Sequence, residues 1–165
     1  MNKVYSGIGS RQITPEGAKL ARFFAKELDS KGYTLRSGGA GGADALFEEN
    51  HTGTKEIFLP WEGFNNNPSK LLHISKEAED MAVKYYPSQE GLRNSSPGVL
   101  KLMARNCYQV LGKNLDDPTD FIVCWTPSEN HGGTSQALRI AKDKGIRFYN
   151  LADPRHVTQL LEFLD

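Results

Sequence analysis

Ser37-Gly38-Gly39-Ala40-Gly41-Gly42-Ala43-Asp44 is the stretch on which the fold turns. Four glycines in five residues separate a strand-like run, Tyr33-Thr34-Leu35-Arg36, from a helix-like run, Ala43 to Glu49. Glycine at such a junction allows positive φ and close approach of a ligand, and the first turn of the helix leaves N–H groups without intrahelical partners. That suits an anion, most often a phosphate. The same glycines also suit a plain tight turn with close helix packing, so the loop decides little by itself.

Working outward, the pattern of strand, loop and helix repeats. Lys3 to Gly7 is short and rich in β-formers, and leads into Gly7-Ile8-Gly9-Ser10-Arg11. Thr14-Pro15 supplies an N-cap and a first-turn proline, and Leu20, Phe23, Phe24 and Leu28 share one face of a helix that Gly32 stops. Lys55 to Leu59 reads as a third strand ended by Pro60, and Pro60 to Leu72, with Trp61 and Phe64, has the chemistry of a loop or lid. Ser75 to Tyr86 is helical in spacing, Pro87 to Pro97 is turn-rich, and Ser96 caps a helix whose apolar stripe includes Met103 and Cys107. Arg105 lies about 200° round from Met103 on that helix, away from the stripe. Phe121-Ile122-Val123-Cys124-Trp125 is the continuous apolar run of a central parallel strand, and Asn130 to Ser135 forms another glycine turn before a helix. Ile146 to Tyr149 gives a fifth strand, and Asp153-Pro154 starts a last helix.

This alternation predicts an α/β domain: a Rossmann-like, doubly wound parallel sheet of about five strands with helices on both faces. With the order 3-2-1-4-5, the crevice opens between the first strand and the strand ending at Trp125. Three glycine loops, at Gly7 to Arg11, Ser37 to Asp44 and Gly132 to Ser135, then gather at the carboxyl edge of the sheet. The first is not GxGxxG, and Arg36-Ser37 stands where a dinucleotide site carries its acid, which disfavours NAD.

Composition bounds the function. The 165 residues fit one domain, and 20 Lys plus Arg balance 20 Asp plus Glu, with no basic block to track duplex nucleic acid. A local phosphate site needs only a few N–H groups and one or two cations. Cys107 and Cys124 lie far apart inside apolar runs, and no His or Cys cluster has metal-ligand spacing, so a cytoplasmic protein with free thiols, no metal, no redox cofactor and no membrane segment is expected.

Taken together, Gly7-Ile8-Gly9-Ser10-Arg11, Thr14 with Gly17, Ser37 to Asp44, Arg105-Asn106, and Gly133-Thr134 with Ala137 resemble the DNA-processing protein A family. That family sits in a wider group of Rossmann-like nucleotide-binding domains that also holds the cytokinin-activating "lonely guy" enzymes. The match is closest to the small, often phage-encoded versions carrying the domain alone, and runs from about Val4 to Leu151. The resemblance implies that Ser10, Arg11, Ser37 to Gly42, Arg105 and Asn106 line a pocket taking single-stranded DNA phosphates and bases. Cys107 replaces the family's second arginine after Asn106. In the nucleotide-hydrolysing relatives a PGGxGTxxE motif carries a glutamate for the N-glycosidic bond; here Gln136 or Ala137 holds that place. Homodimers are common among the relatives, and Ser96 to Leu111 is a candidate surface.

The expected pocket holds a nucleotide or nucleotide-derived ligand. Its phosphate rests on Gly9, Ser10, Arg11, Ser37, Gly38, Gly39, Ala40, Gly41 and Gly42, and its base or ribose on Trp125, Gly132, Gly133, Thr134 and Ser135. Asp44 caps its helix or holds Arg11; Arg105 is a second phosphate clamp or a solvated helix residue beside Asn106; Arg11 is a clamp or pairs with Asp44 or Glu16. Trp61 stacks a base or packs under its loop. Two alternatives accompany sensing or sequestration: a single-stranded DNA binder, and an N-glycoside hydrolase using Glu48 or Glu49.

Overall fold

The computed structural model describes residues 3–165. Strands β1 (Val4–Gly9), β2 (Thr34–Ser37), β3 (Lys55–Ile57), β4 (Phe121–Trp125) and β5 (Arg147–Asn150) pair in parallel in the order β3-β2-β1-β4-β5. Helices α1 (Pro15–Ser30), α2 (Ala43–Glu49) and α7 (Pro154–Leu164) cover one face. The other face is covered by α3 (Lys76–Tyr85), the short α4 (Gln89–Arg93), α5 (Pro97–Leu111) and α6 (Gly133–Asp143). The chain is therefore a doubly wound α/β fold with a five-stranded sheet.

β4 shows why its sequence is apolar throughout. All five residues are buried; Phe121, Val123 and Trp125 enter the α1/α2/α7 core, while Ile122 and Cys124 enter the opposite one. A strand covered on both faces needs apolar side chains at both parities. The caps legible in the sequence form as the chemistry demands. Thr14 Oγ1 accepts the Gly17 N–H at 3.0 Å, and Ser96 and Asp153 cap α5 and α7.

Several boundaries differ from expectation. β1 runs on to Gly9 because Gly7, Ile8 and Gly9 pair with Val123, Cys124 and Trp125. Within the turn-rich segment, Ser88 accepts the Gly91 N–H and starts α4. Phe23 is 47% exposed, because Phe24 takes the core position beside it. The α5 helix corrects the expected dimer surface: every residue from Ala104 to Leu111 is buried within this chain, so that half offers no face to a second copy. Arg36, at the position where a dinucleotide fold carries an acid, is 2% exposed and structural; Nε donates to Glu56 at 2.9 Å and Nη2 to Asp117 at 2.9 Å. No helix among the described residues is long and apolar enough to cross a membrane.

The feature that shapes the site is the close approach at Gly9. The Ser10 N–H donates to the Trp125 carbonyl at 2.9 Å, and a Cβ built on Gly9 would stand 2.8 Å from the Ala43 Cβ and against the Trp125 carbonyl. Neither neighbour is the free end of a flexible side chain, so a methyl there must separate β1 from β4 or from α2. Gly9→Ala is expected to lower unfolding stability by about 2 kcal/mol, read by urea denaturation with an unchanged m-value; a change within about 0.5 kcal/mol would mean that the strands part without strain.

Candidate functional site

The sheet order reverses direction between β1 and β4, and open α/β sheets place their crevice at that switch point. There the loops after β1 and β4 and the glycine loop after β2 surround a cleft of about 490 Å³. Gly9, Ser10, Arg11, Ala40, Asp44, Arg105, Asn106, Gly132, Gly133 and Thr134 all line it. Three segments far apart in sequence thus meet, joined by the middle of α5.

Asp44 organises the meeting. Its side chain is buried, Oδ1 accepts the Gly9 N–H at 3.1 Å, and Oδ2 accepts the Ala40 N–H at 3.3 Å. The loop N–H groups that sequence alone assigns to a bound phosphate are therefore partly occupied by the protein's own carboxylate. Gly42, at φ 72°, backs onto the Ser10 carbonyl and Arg11, which leaves room for no side chain there. Ser37 turns away from the cleft, its hydroxyl donating to the Gly7 carbonyl at 2.6 Å. Of the loop, Ala40 and Asp44 line the cleft, while Gly38, Gly39, Gly41 and Gly42, expected to hold a phosphate, stand behind that surface.

Arg105 departs from both sequence readings, since it is neither solvated nor a free phosphate clamp. It is 6% exposed; Nη1 donates to the Gly38 carbonyl and Nε to Asn106 Oδ1 at 3.0 Å. Burial lowers its guanidinium to about 10, an effect that Asp44 opposes and Arg11 reinforces, and it stays a cation at neutral pH. Burial likewise pushes the Asp44 carboxyl up, against the pull of Arg105 and of the Ala40, Gly9 and Gly38 N–H groups. The helical-wheel position fails here because α5 is enclosed on its polar side too, by the glycine loop. Asn106 completes the link: its Nδ2 donates to the Gly133 carbonyl at 3.1 Å and pins the third loop to α5.

Arg11 is the cation left over. It is exposed, makes no ion pair with Asp44, Glu16 or any other acid among the described residues, and sits 5.9 Å from the centre of the Phe64 ring. Arg105 lies 5.5 Å from the centre of the same ring, so Phe64 offers its π system to both guanidinium groups. Sequence reasoning missed Phe64 in this role. Its signal was the loop itself, where Gly63, Asn65 and Asn66 take positive φ and turn the ring inward. Trp61 packs edge-on against Phe64 at 5.3 Å and stays 40% exposed.

Opposite Arg11, α6 begins at Gly133 with Gly132 as its cap residue and no side-chain cap. Its first N–H groups open on the cleft beside Thr134, a polarity suited to an anion. Ser135 faces the other way, its hydroxyl donating to the Gly132 carbonyl at 2.5 Å and accepting from Arg139. Leu102, Met103, Thr126, Pro127 and the exposed His131 also line the cleft. Met103, assigned to the core stripe by its spacing, stands at the edge of that stripe facing the Gly133 turn.

Two sequence assignments are corrected. Trp125 does not face the cleft: its parity on β4 sends it to the α1/α7 side, where it meets Gly17. Glu48 and Glu49 are also outside, because α2 carries them away from the sheet edge; Glu48 accepts from Asn67 Nδ2 at 3.0 Å, and Glu49 is exposed. Among the described residues that line the cleft, Asp44 is the one carboxylate, and its oxygens accept from Gly9 and Ala40. Among the described residues no group of three or more His, Cys, Asp or Glu could hold a metal ion.

No family model and no curated protein sequence matches the chain. A solved structure does: that of DNA processing protein A from Helicobacter pylori, reported for its single-stranded DNA binding mode, with TM-score 0.55 and 19% identity over 98% of this chain and 72% of that one. The two share a fold.

Removing the negative charge tests the role of Asp44. Asp44→Asn puts an amide donor against one of the loop N–H groups and removes the charge that opposes burial of Arg105, and is expected to destabilise the fold by about 2 kcal/mol in urea unfolding. A loss below about 0.5 kcal/mol would show that the backbone donors alone hold the loops together.

Proposed function

We propose that the cleft binds a nucleotide or nucleotide-derived small molecule, its phosphate held between the open amino end of α6 and Arg11. The supporting observation is the pairing of an uncapped helix start with a cation that has no acid partner among the described residues, across one cavity. A phosphate supplies what both lack: acceptors for N–H groups and charge for a guanidinium, which meets phosphate oxygens through two parallel hydrogen bonds. The glycine loop has a smaller part in this reading, because Ala40 is its residue in the lining and the Ala40 N–H already donates to Asp44. Ile8, Leu102 and Met103 form the apolar side of the cleft and suit the flat body of a base, which the adaptable methionine can follow. Neither a redox cofactor nor a metal ion enters this reading. With the one lining carboxylate engaged, the chemistry favours holding the ligand, as a sensor or sequestering protein does, over cleaving it.

A second reading, single-stranded DNA binding, is favoured by one observation, the shared fold with a protein reported in a single-stranded DNA binding mode. The balanced charge of the chain speaks for a local phosphate contact over a long electrostatic track.

Thermal-shift titration with AMP, GMP, ADP and cyclic mononucleotides separates the readings. Mononucleotides are expected to raise the Tm in proportion to occupancy, and Arg11→Ala to weaken binding about tenfold. No stabilisation by any of them at millimolar concentration, together with salt-dependent retardation of oligo-dT in a gel, would overturn the first reading in favour of the second.

A further inference from the structure

The opposite side of the β4 end carries a second cavity, separate from the cleft. It has a volume of about 470 Å³ and lies between the amino ends of α1 and α7, with Trp125 among its lining. Trp125 is 7% exposed, and among the described residues its indole N–H donates to no acceptor. Among the described residues, Tyr5 Oη and His51 Nδ1 are sealed away without a partner. The indole nitrogen is not sealed in this way, and Trp125 meets the open volume of the groove. Gly17 keeps that edge clear: a Cβ at this position would stand 2.5 Å from Nε1, so any larger residue would push the indole aside.

The rest of the lining defines what fits. Leu20, Leu151 and Val157 make apolar walls, and among the described residues Glu16 contributes the single charged side chain, with no lysine or arginine in the groove. The helix caps at its rim are already filled, since Thr14 accepts from Gly17 and Asp153 from Arg155. Both helices start with proline, which has no N–H to offer an anion. An anionic ligand thus finds a carboxylate and no cation. Indole is a donor only, so the ligand must present an acceptor, and Glu16 accepts only, so it must present a donor.

We infer that this groove is a binding site for an uncharged heterocycle of nucleobase size, which presents a ring acceptor to Trp125 Nε1–H and an amino group to Glu16 between the apolar walls. The volume lies in the range of small-ligand sites. The site is independent of the phosphate cleft, from which it is divided by the backbone of β1 and β4.

The indole signals of the ¹⁵N-labelled protein test this directly, because Trp61, exposed on a distant loop, serves as internal control. Titration with cytosine is expected to move the Trp125 Nε1–H resonance saturably and leave Trp61 in place. Ala152→Phe and Thr158→Phe, at exposed rim positions, are each expected to weaken that binding at least tenfold with both indole signals still dispersed, and Arg11→Ala to leave it unchanged. A dC ten-mer, which would bring phosphates to Glu16, is expected to leave Trp125 unmoved. No movement with cytosine up to its solubility limit, movement that survives both rim substitutions, or an equal response to the ten-mer would overturn the assignment.

Discussion

A single buried carboxylate holds the business end of this domain together. Asp44 accepts from the loop after β1 and from the loop after β2, and faces a buried guanidinium from α5. None of these groups is independently stable where it sits: loop N–H groups under cover need acceptors, and Arg105 out of water needs negative charge. Placing the anion within the chain solves both needs at once and makes the two loops one body. Asn106 then extends that body to the turn before α6. The cleft is rigid on three sides for reasons of charge and hydrogen bonding, with packing in a secondary role.

That arrangement changes the meaning of the glycines. A glycine loop ahead of a helix is generally read as a cradle for an external phosphate. Here the cradle is occupied by a side chain of the helix it precedes, and the duty of meeting an anion passes to α6, whose start has no capping side chain. Phe64 contributes a ring that both Arg11 and Arg105 approach, which offsets part of the repulsion between two neighbouring cations.

Most of the fold was legible because it rests on local chemistry. Thr14-Pro15, Ser96-Pro97 and Asp153-Pro154 mark helix starts by their own caps, and the unbroken run Phe121 to Trp125 identifies the central strand. The alternation of strands and helices implied a parallel sheet, and the order assumed for it is the one observed. The site was legible in its segments and not in its side chains. Which way Trp125 faces depends on the register of β4, a parity that an all-apolar strand does not reveal. Arg105 reads as exposed on a helical wheel, since nothing in the local sequence says that the glycine loop will close over it. Phe64 was hidden in a loop rich in asparagine, whose positive φ values depend on the surrounding contacts. Glu48 and Glu49 follow Asp44 closely in sequence, yet each residue advances about 1.5 Å along α2, so by Glu48 the helix has left the sheet edge and that side chain meets Asn67.

The hydrogen bond from Ser10 to the Trp125 carbonyl joins two compartments by their common partition. Beyond it on one side lies Thr126, in the lining of the cleft; on the other lies the indole of Trp125, in the lining of the groove. The partition is a single layer of main chain, the paired ends of β1 and β4. One stretch of backbone thus furnishes a wall to each of two spaces that open on opposite faces of the sheet, and the parity of β4 and the residue after it decides which side chain each space receives.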